Sequence, residues 1–110
     1  MLLLFEDQTI YENYSPEEFQ AEIAEHSKWI EQLGDRYLGG DPLEMPAKHI
    51  RGNGTMVTDG PFIEAKELVS GFYMIKAASH DEASDLAKGC PILRLGGSVE
   101  IREVMDIPAE

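Results

Sequence analysis

His26, Asp59, Phe62, Lys66 and Tyr73 are the side chains whose types and setting can do chemistry in this sequence. An imidazole exchanges protons near neutral pH, and a carboxylate beside it can orient the ring, as in base–orienter pairs. That assigns His26 to proton transfer and Asp59 to orienting it. Lys66 can hold an anionic group as a compact point charge. Phe62 and Tyr73 can line a pocket whose one polar handle is the phenol. Each residue also has a plainer role. His26 can be a core histidine bonded to a carbonyl, or sit at the edge of a helix stripe facing water. Asp59 can simply cap its own turn. Lys66, between Glu64 and Glu67, can belong to a solvated charge cluster. Phe62 and Tyr73 can be core or interface, the preferred reading for Phe62.

Asp59, Phe62 and Lys66 fall in one stretch, Thr58-Asp59-Gly60-Pro61-Phe62-Ile63-Glu64-Ala65-Lys66-Glu67. Pro61 fixes φ and offers no N–H, Gly60 tolerates conformations other residues avoid, and Asp59 is a turn-opening residue. The expectation is a sharp corner between Met56–Val57 and the most hydrophobic strand, Gly71 to Ala77. His26 belongs to an earlier element. Ser15-Pro16-Glu17-Glu18 has an N-cap serine, a proline at the first helical position and a glutamate placed for a capping box. Phe19, Ile23, His26, Ile30 and Leu33 then recur at helical spacing, so His26 should face the sheet. Gly34 is a suitable stop.

The remaining elements follow from the same signals. Leu2 to Glu6 reads as a short apolar strand. Gly39 to Pro46 reads as a loop, and Lys48 to Arg51 as a strand. Asn53-Gly54 reads as a two-residue hairpin turn, with Thr55 to Thr58 returning. Ser79 and Glu82 repeat the capping-box spacing and open a second helix through Lys88, ended by Gly89 and Pro91. Gly96-Gly97 turns the chain into a last strand, Ser98 to Val104. The fold class is therefore α+β: a βαββαβ order with an extra hairpin, in a single domain spanning 1–110. Two helices can cover only one face of a four-stranded antiparallel sheet. Yet Leu2 to Phe5 and Phe72 to Ile75 are apolar at consecutive positions, so both faces call for burial. A second copy packed sheet to sheet about a two-fold axis satisfies them, and a homodimer is expected.

The motifs Met56-Val57-Thr58-Asp59-Gly60-Pro61-Phe62, Glu64, Lys66-Glu67, Gly71-Phe72-Tyr73 and Gly96-Gly97-Ser98-Val99-Glu100-Ile101-Arg102 resemble the YCII-related family, in its DGPF-motif branch. The resemblance covers most of the chain. The sequence departs from the family pattern at Ala65, where Thr is usual, at Ser70, where a second Gly is common, and at Glu103, where a Pro often follows the Arg. The resemblance implies a ferredoxin-like domain that dimerises through its sheets into an α/β barrel. It also implies a His–Asp pair in a pocket, with His26 matching the helix histidine and Asp59 the motif aspartate. It supplies no substrate.

Composition narrows the partners. Acidic residues number 21 against 9 Lys and Arg, a formal net charge of −12. Such a surface repels phosphate backbones, so neither nucleic acid nor an anionic membrane is an expected partner. The apolar Met1 to Phe5 is too short to span a bilayer and lacks a signal-peptide flank. Cys90 is the only cysteine, which excludes a disulfide framework and fits a reducing cytoplasm. Cys90 has no basic neighbour closer than Lys88 and reads as structural. His49 and His80 read as surface residues, and the three histidines show no metal-ligand spacing. Gly96-Gly97 precedes a strand, so it is no phosphate loop. No flavin, nicotinamide or haem signature is present, and no cofactor is expected.

These expectations converge on a cytoplasmic homodimer acting on a small organic molecule by His–Asp proton transfer, of isomerase or hydrolase type. The alternative is a non-catalytic dimeric ligand-binding or accessory module in which the Asp-Gly-Pro-Phe motif is structural.

Overall fold

The computed structural model describes residues 1–60 and 68–108. The chain runs β1 (Leu2–Glu6), α1 (Pro16–Leu33), β2 (Tyr37–Pro42), β3 (Ala47–Arg51), β4 (Met56–Gly60), β5 (Leu68–Ile75), α2 (His80–Ala87) and β6 (Ser98–Ile101), with three short 3₁₀ turns between them. The main sheet has the order β2-β5-β1-β6, antiparallel throughout. Each helix connects two strands that flank a third: α1 joins β1 to β2 around β5, and α2 joins β5 to β6 around β1. This α+β arrangement is compatible with a ferredoxin-like fold. None of the described helices is long and apolar enough to cross a membrane.

Local chemistry accounts for both helices. At the start of α1 the Ser15 hydroxyl accepts from the Glu18 N–H, and the Glu18 carboxylate accepts in return from the Ser15 N–H. Both halves of the capping box are thus made, with Pro16 in the first turn, where its missing N–H costs nothing. Gly34 ends the helix with a positive φ. Ser79 caps α2 by accepting from the Glu82 N–H, but Glu82 reaches back one residue further, to the Ala78 N–H.

The core lies between the helices and one face of the sheet. Leu2 and Leu4 of β1 and Tyr73 of β5 pack with Trp29 and Leu33 of α1, Ala87 of α2, and Cys90 and Ile92 beyond it. Strand alternation sends Leu3, Phe5, Phe72 and Met74 to the opposite face, where each is only half-buried. The consecutive apolar residues of β1 and β5 therefore do divide between two faces.

Several elements differ from the sequence reading. Gly39 to Pro46, expected as a loop, begins as strand β2. Pairing with β5 overrides its poor strand composition, and a register shift between Tyr37 and Gly39 accommodates the irregularity. Pro42 is tolerated because β2 is an edge strand. The hairpin turn is longer than two residues: Arg51 pairs with Met56, leaving Gly52 to Thr55 as the loop, with Gly52, Asn53 and Gly54 all at positive φ. The strand into the Asp-Gly-Pro-Phe motif runs on through Asp59 to Gly60, so Asp59 lies in β4, and the corner expected at Pro61 lies outside the described residues. Among the described residues, β3 and β4 pair with each other and not with the main sheet. The last strand stops at Ile101.

Candidate functional site

The cavity that brings the chemistry together lies between α1 and the sheet. Its volume is about 390 Å³, within the range of small-molecule sites. α1 contributes Phe19, Ile23, His26 and Ile30 to one wall, while Leu4, Gly71 and Tyr73 come from the sheet and Ile92 from the 3₁₀ turn after α2. Spacing along α1 explains the opening. Trp29 and Leu33, toward its C-terminal end, are buried against the sheet, whereas Phe19 and Ile23 remain nearly half exposed. The apolar stripe thus seats on the core at one end and roofs open space at the other.

His26 faces this space. Its Nδ1 lies 2.6 Å from the Tyr73 hydroxyl oxygen, a hydrogen bond whose donor depends on the imidazole tautomer. The two rings stack with an interplanar angle of 21°. Nε2 makes no hydrogen bond among the described residues. Burial holds the imidazole below its usual pKa. The Glu6 and Glu22 charges oppose that shift and the Arg94 charge adds to it. Tyr73 is itself wedged between Trp29, edge-on at 5.0 Å, and Tyr37 at 6.1 Å. Burial pushes the Tyr73 phenol above its ordinary range, so it stays protonated.

A second polar pair lines the same cavity. The Tyr11 hydroxyl donates to Glu6 Oε1 at 2.7 Å, and Glu6 is only 5% exposed. Burial, then the hydrogen bond to Glu6, raise the Tyr11 pKa. Glu6 ends β1 on the same face as Leu2 and Leu4, so period-two alternation carries it inward. Sequence reasoning missed this pair. The signal was present in that alternation, but an acidic residue closing an apolar strand reads first as its solvent-facing end. Trp29 was missed too. It lies one step off the expected stripe and is anchored by its indole N–H donating to the Leu86 carbonyl, 3.3 Å away.

Asp59 lies elsewhere. Its Oδ1 is 2.7 Å from Lys48 Nζ, its cross-strand neighbour in the hairpin, and both side chains are largely exposed. No hydrogen bond joins Asp59 to His26, and Asp59 is not among the described residues lining the cavity. Among the described residues, the hydrogen-bond partner of His26 is Tyr73. Phe62 and Lys66 lie outside the described residues. Cys90 is core, with burial pushing its thiol up to about 11. His80 is exposed, and His49 accepts from Arg51 Nε within β3.

Comparison with known proteins agrees with the resemblance at the level of the YCII-related family. A 34-residue stretch is 59% identical to part of an uncharacterised protein of Rhizobium meliloti (strain 1021), covering 31% of this chain and 27% of that protein's length. The YCII-related domain matches residues 1–108. With essentially the whole chain inside that match, the protein belongs to the YCII-related family.

Proposed function

We propose that the protein is a small acid–base enzyme whose reactive group is His26, acting on a compact organic molecule in the α1–sheet cavity. The observation that carries this reading is the His26–Tyr73 hydrogen bond at the wall of a cavity large enough for a substrate. In the productive tautomer Nδ1–H donates to the Tyr73 oxygen and Nε2 is the base. Burial favours the neutral ring at physiological pH, which is the form a base needs. When Nε2 takes a proton from the substrate, Tyr73 remains as acceptor for the imidazolium and keeps its own O–H for a substrate oxygen. Returning the proton to another atom isomerises the substrate; delivering it to a departing group removes that group. Tyr73 thus takes the positioning role that the motif resemblance gives to Asp59.

The assembly belongs to the same proposal. The half-buried row Leu3, Phe5, Phe72 and Met74 forms an apolar sheet face on which none of the core-forming helix residues pack. A second copy covering it would produce a sheet-to-sheet dimer, the α/β barrel of the family, with the cavity on the other face of each sheet.

A second reading is a dimeric ligand-binding module, favoured by the Lys48–Asp59 pair, which gives the motif aspartate a partner within its own hairpin. Solvent exchange separates the two. Small carbonyl and lactone compounds incubated with the protein in D₂O should exchange acidic C–H positions by NMR, and His26→Ala should stop the exchange. Undiminished exchange with His26→Ala removes the enzymatic proposal, and ligand binding without exchange favours the module.

A further inference from the structure

Glu6 is the feature of the cavity that proton transfer at His26 leaves unused. A carboxylate that is 5% exposed carries a desolvation cost that its surroundings must offset. Here the offset is incomplete. Tyr11 donates to Oε1, while Oε2 has no hydrogen bond among the described residues. No fully enclosed side-chain oxygen or nitrogen among those residues lacks a partner, so Oε2 is reachable from open space. The open space that Glu6 lines is the cavity.

The other acidic or basic side chains among the described lining residues have one sign. Glu22 and Asp41 join Glu6, and no Lys or Arg is among the described lining residues. Around them the walls are apolar, from Leu4, Phe19, Ile23, Ile30 and Ile92. An anionic ligand would meet carboxylates in poorly hydrated surroundings. A protonated amine would supply the hydrogen bond that Oε2 lacks together with a charge of opposite sign.

From this geometry we infer that the cavity selects a compact apolar or aromatic molecule bearing a protonated nitrogen, with Glu6 as the residue that reads the charge. The inference rests on the cavity being a small-molecule site, and it names the substrate class for the reaction at His26. Glu6 engages the ammonium through Oε2, Tyr11 holds Oε1 so that the carboxylate keeps its aim, and His26 works on another part of the ligand.

Three probes with one aromatic body and different ends test the inference: phenethylamine, 2-phenylethanol and phenylacetate. Each is titrated at pH 7.5 into the full-length ¹⁵N-labelled protein, at low and at moderate salt, and followed by amide shifts around Gly71 and Ile30. The expected order is amine tightest, alcohol intermediate and carboxylate weakest, with about tenfold between the ends. Glu6→Gln should bring amine and alcohol together, chiefly by weakening the amine. Tyr11→Phe, which frees Oε1, should tighten the amine, and it keeps the test decisive if Glu6→Gln folds poorly. Phenylacetate binding as tightly as the amine in the wild type overturns the inference. So does an amine preference that survives Glu6→Gln and vanishes with salt, which would trace to the net surface charge. Shifts without any charge preference defeat the Glu6 inference alone. No shifts from any probe defeat the small-molecule reading with it.

Discussion

Nδ1 of His26 and the hydroxyl of Tyr73 lie 2.6 Å apart although 47 residues separate them in sequence. Helix and sheet face each other at this point, so the imidazole is tied to the strand it works over. A histidine anchored through one nitrogen presents the other in a fixed direction, which is what a positioned base requires.

The His26 titration reads this bond directly. The wild-type midpoint, followed by NMR, should lie below the ordinary imidazole value of about 6.5, because burial outweighs the Glu6 and Glu22 charges. Tyr73→Phe should move it lower still, since the imidazolium loses the oxygen that accepts from Nδ1. A rise would show that the phenol donates and that Nε2 carries the proton.

The same burial predicts a pH dependence of stability. The unfolded chain takes up a proton on this histidine near pH 6.5, whereas the folded chain resists until lower pH. Stability associated with neutral His26 is therefore complete above that unfolded value and is lost as the pH falls through it. Compared with His26→Gln, the wild type should lose more melting temperature between pH 7.5 and pH 5. Parallel curves for the two proteins would contradict the shift.

Asp59→Asn should leave the His26 midpoint where it is, since Asp59 bonds Lys48 and not the imidazole. With both side chains largely exposed, breaking the pair should change unfolding free energy by no more than about 0.5 kcal/mol. A displaced His26 titration in Asp59→Asn would restore the His–Asp pair.

What the sequence could show depended on how local each signal was. The capping box at Ser15, the serine cap at Ser79 and the stop at Gly34 are short-range chemistry, and the helices begin where those residues indicate, the second ending one residue before the expected Lys88. The orientation of His26 followed from helical spacing. Its partner did not, because nothing near residue 26 announces Tyr73. β2 was hidden because Gly39, Gly40 and Pro42 disfavour a strand until β5 pairs with them. Glu6 was concealed by its charge, although its position in the alternation of β1 pointed inward.

Core packing around Trp29 leaves no spare room. A Cβ added at Gly89 would lie 2.7 Å from the Trp29 indole nitrogen and 2.8 Å from its Cδ1. Trp29 is buried and cannot swing aside, so Gly89→Ala should destabilise by about 1–3 kcal/mol, measured by urea or thermal unfolding. An unchanged melting temperature would mean that the indole has room to shift.

Sedimentation tests the sheet face. The protein should run as a dimer at micromolar concentration, and Phe5→Glu should produce a monomer that keeps its far-UV circular dichroism. A charge on that face would have to be desolvated on association. A wild-type monomer would sink the barrel assembly.

The position of β1 has a consequence for the order of events during folding. It is the inner strand between β5 and β6, yet it precedes both by most of the chain; Leu2 pairs with Tyr73 on one side and Ile101 on the other. Closing contacts so remote along a polymer is slow compared with forming helices. On the ribosome α1 can form early, but Leu2 to Phe5 waits without a sheet partner until β5 emerges. In that interval the strand is a greasy edge on the nascent chain, the segment a chaperone would shield first.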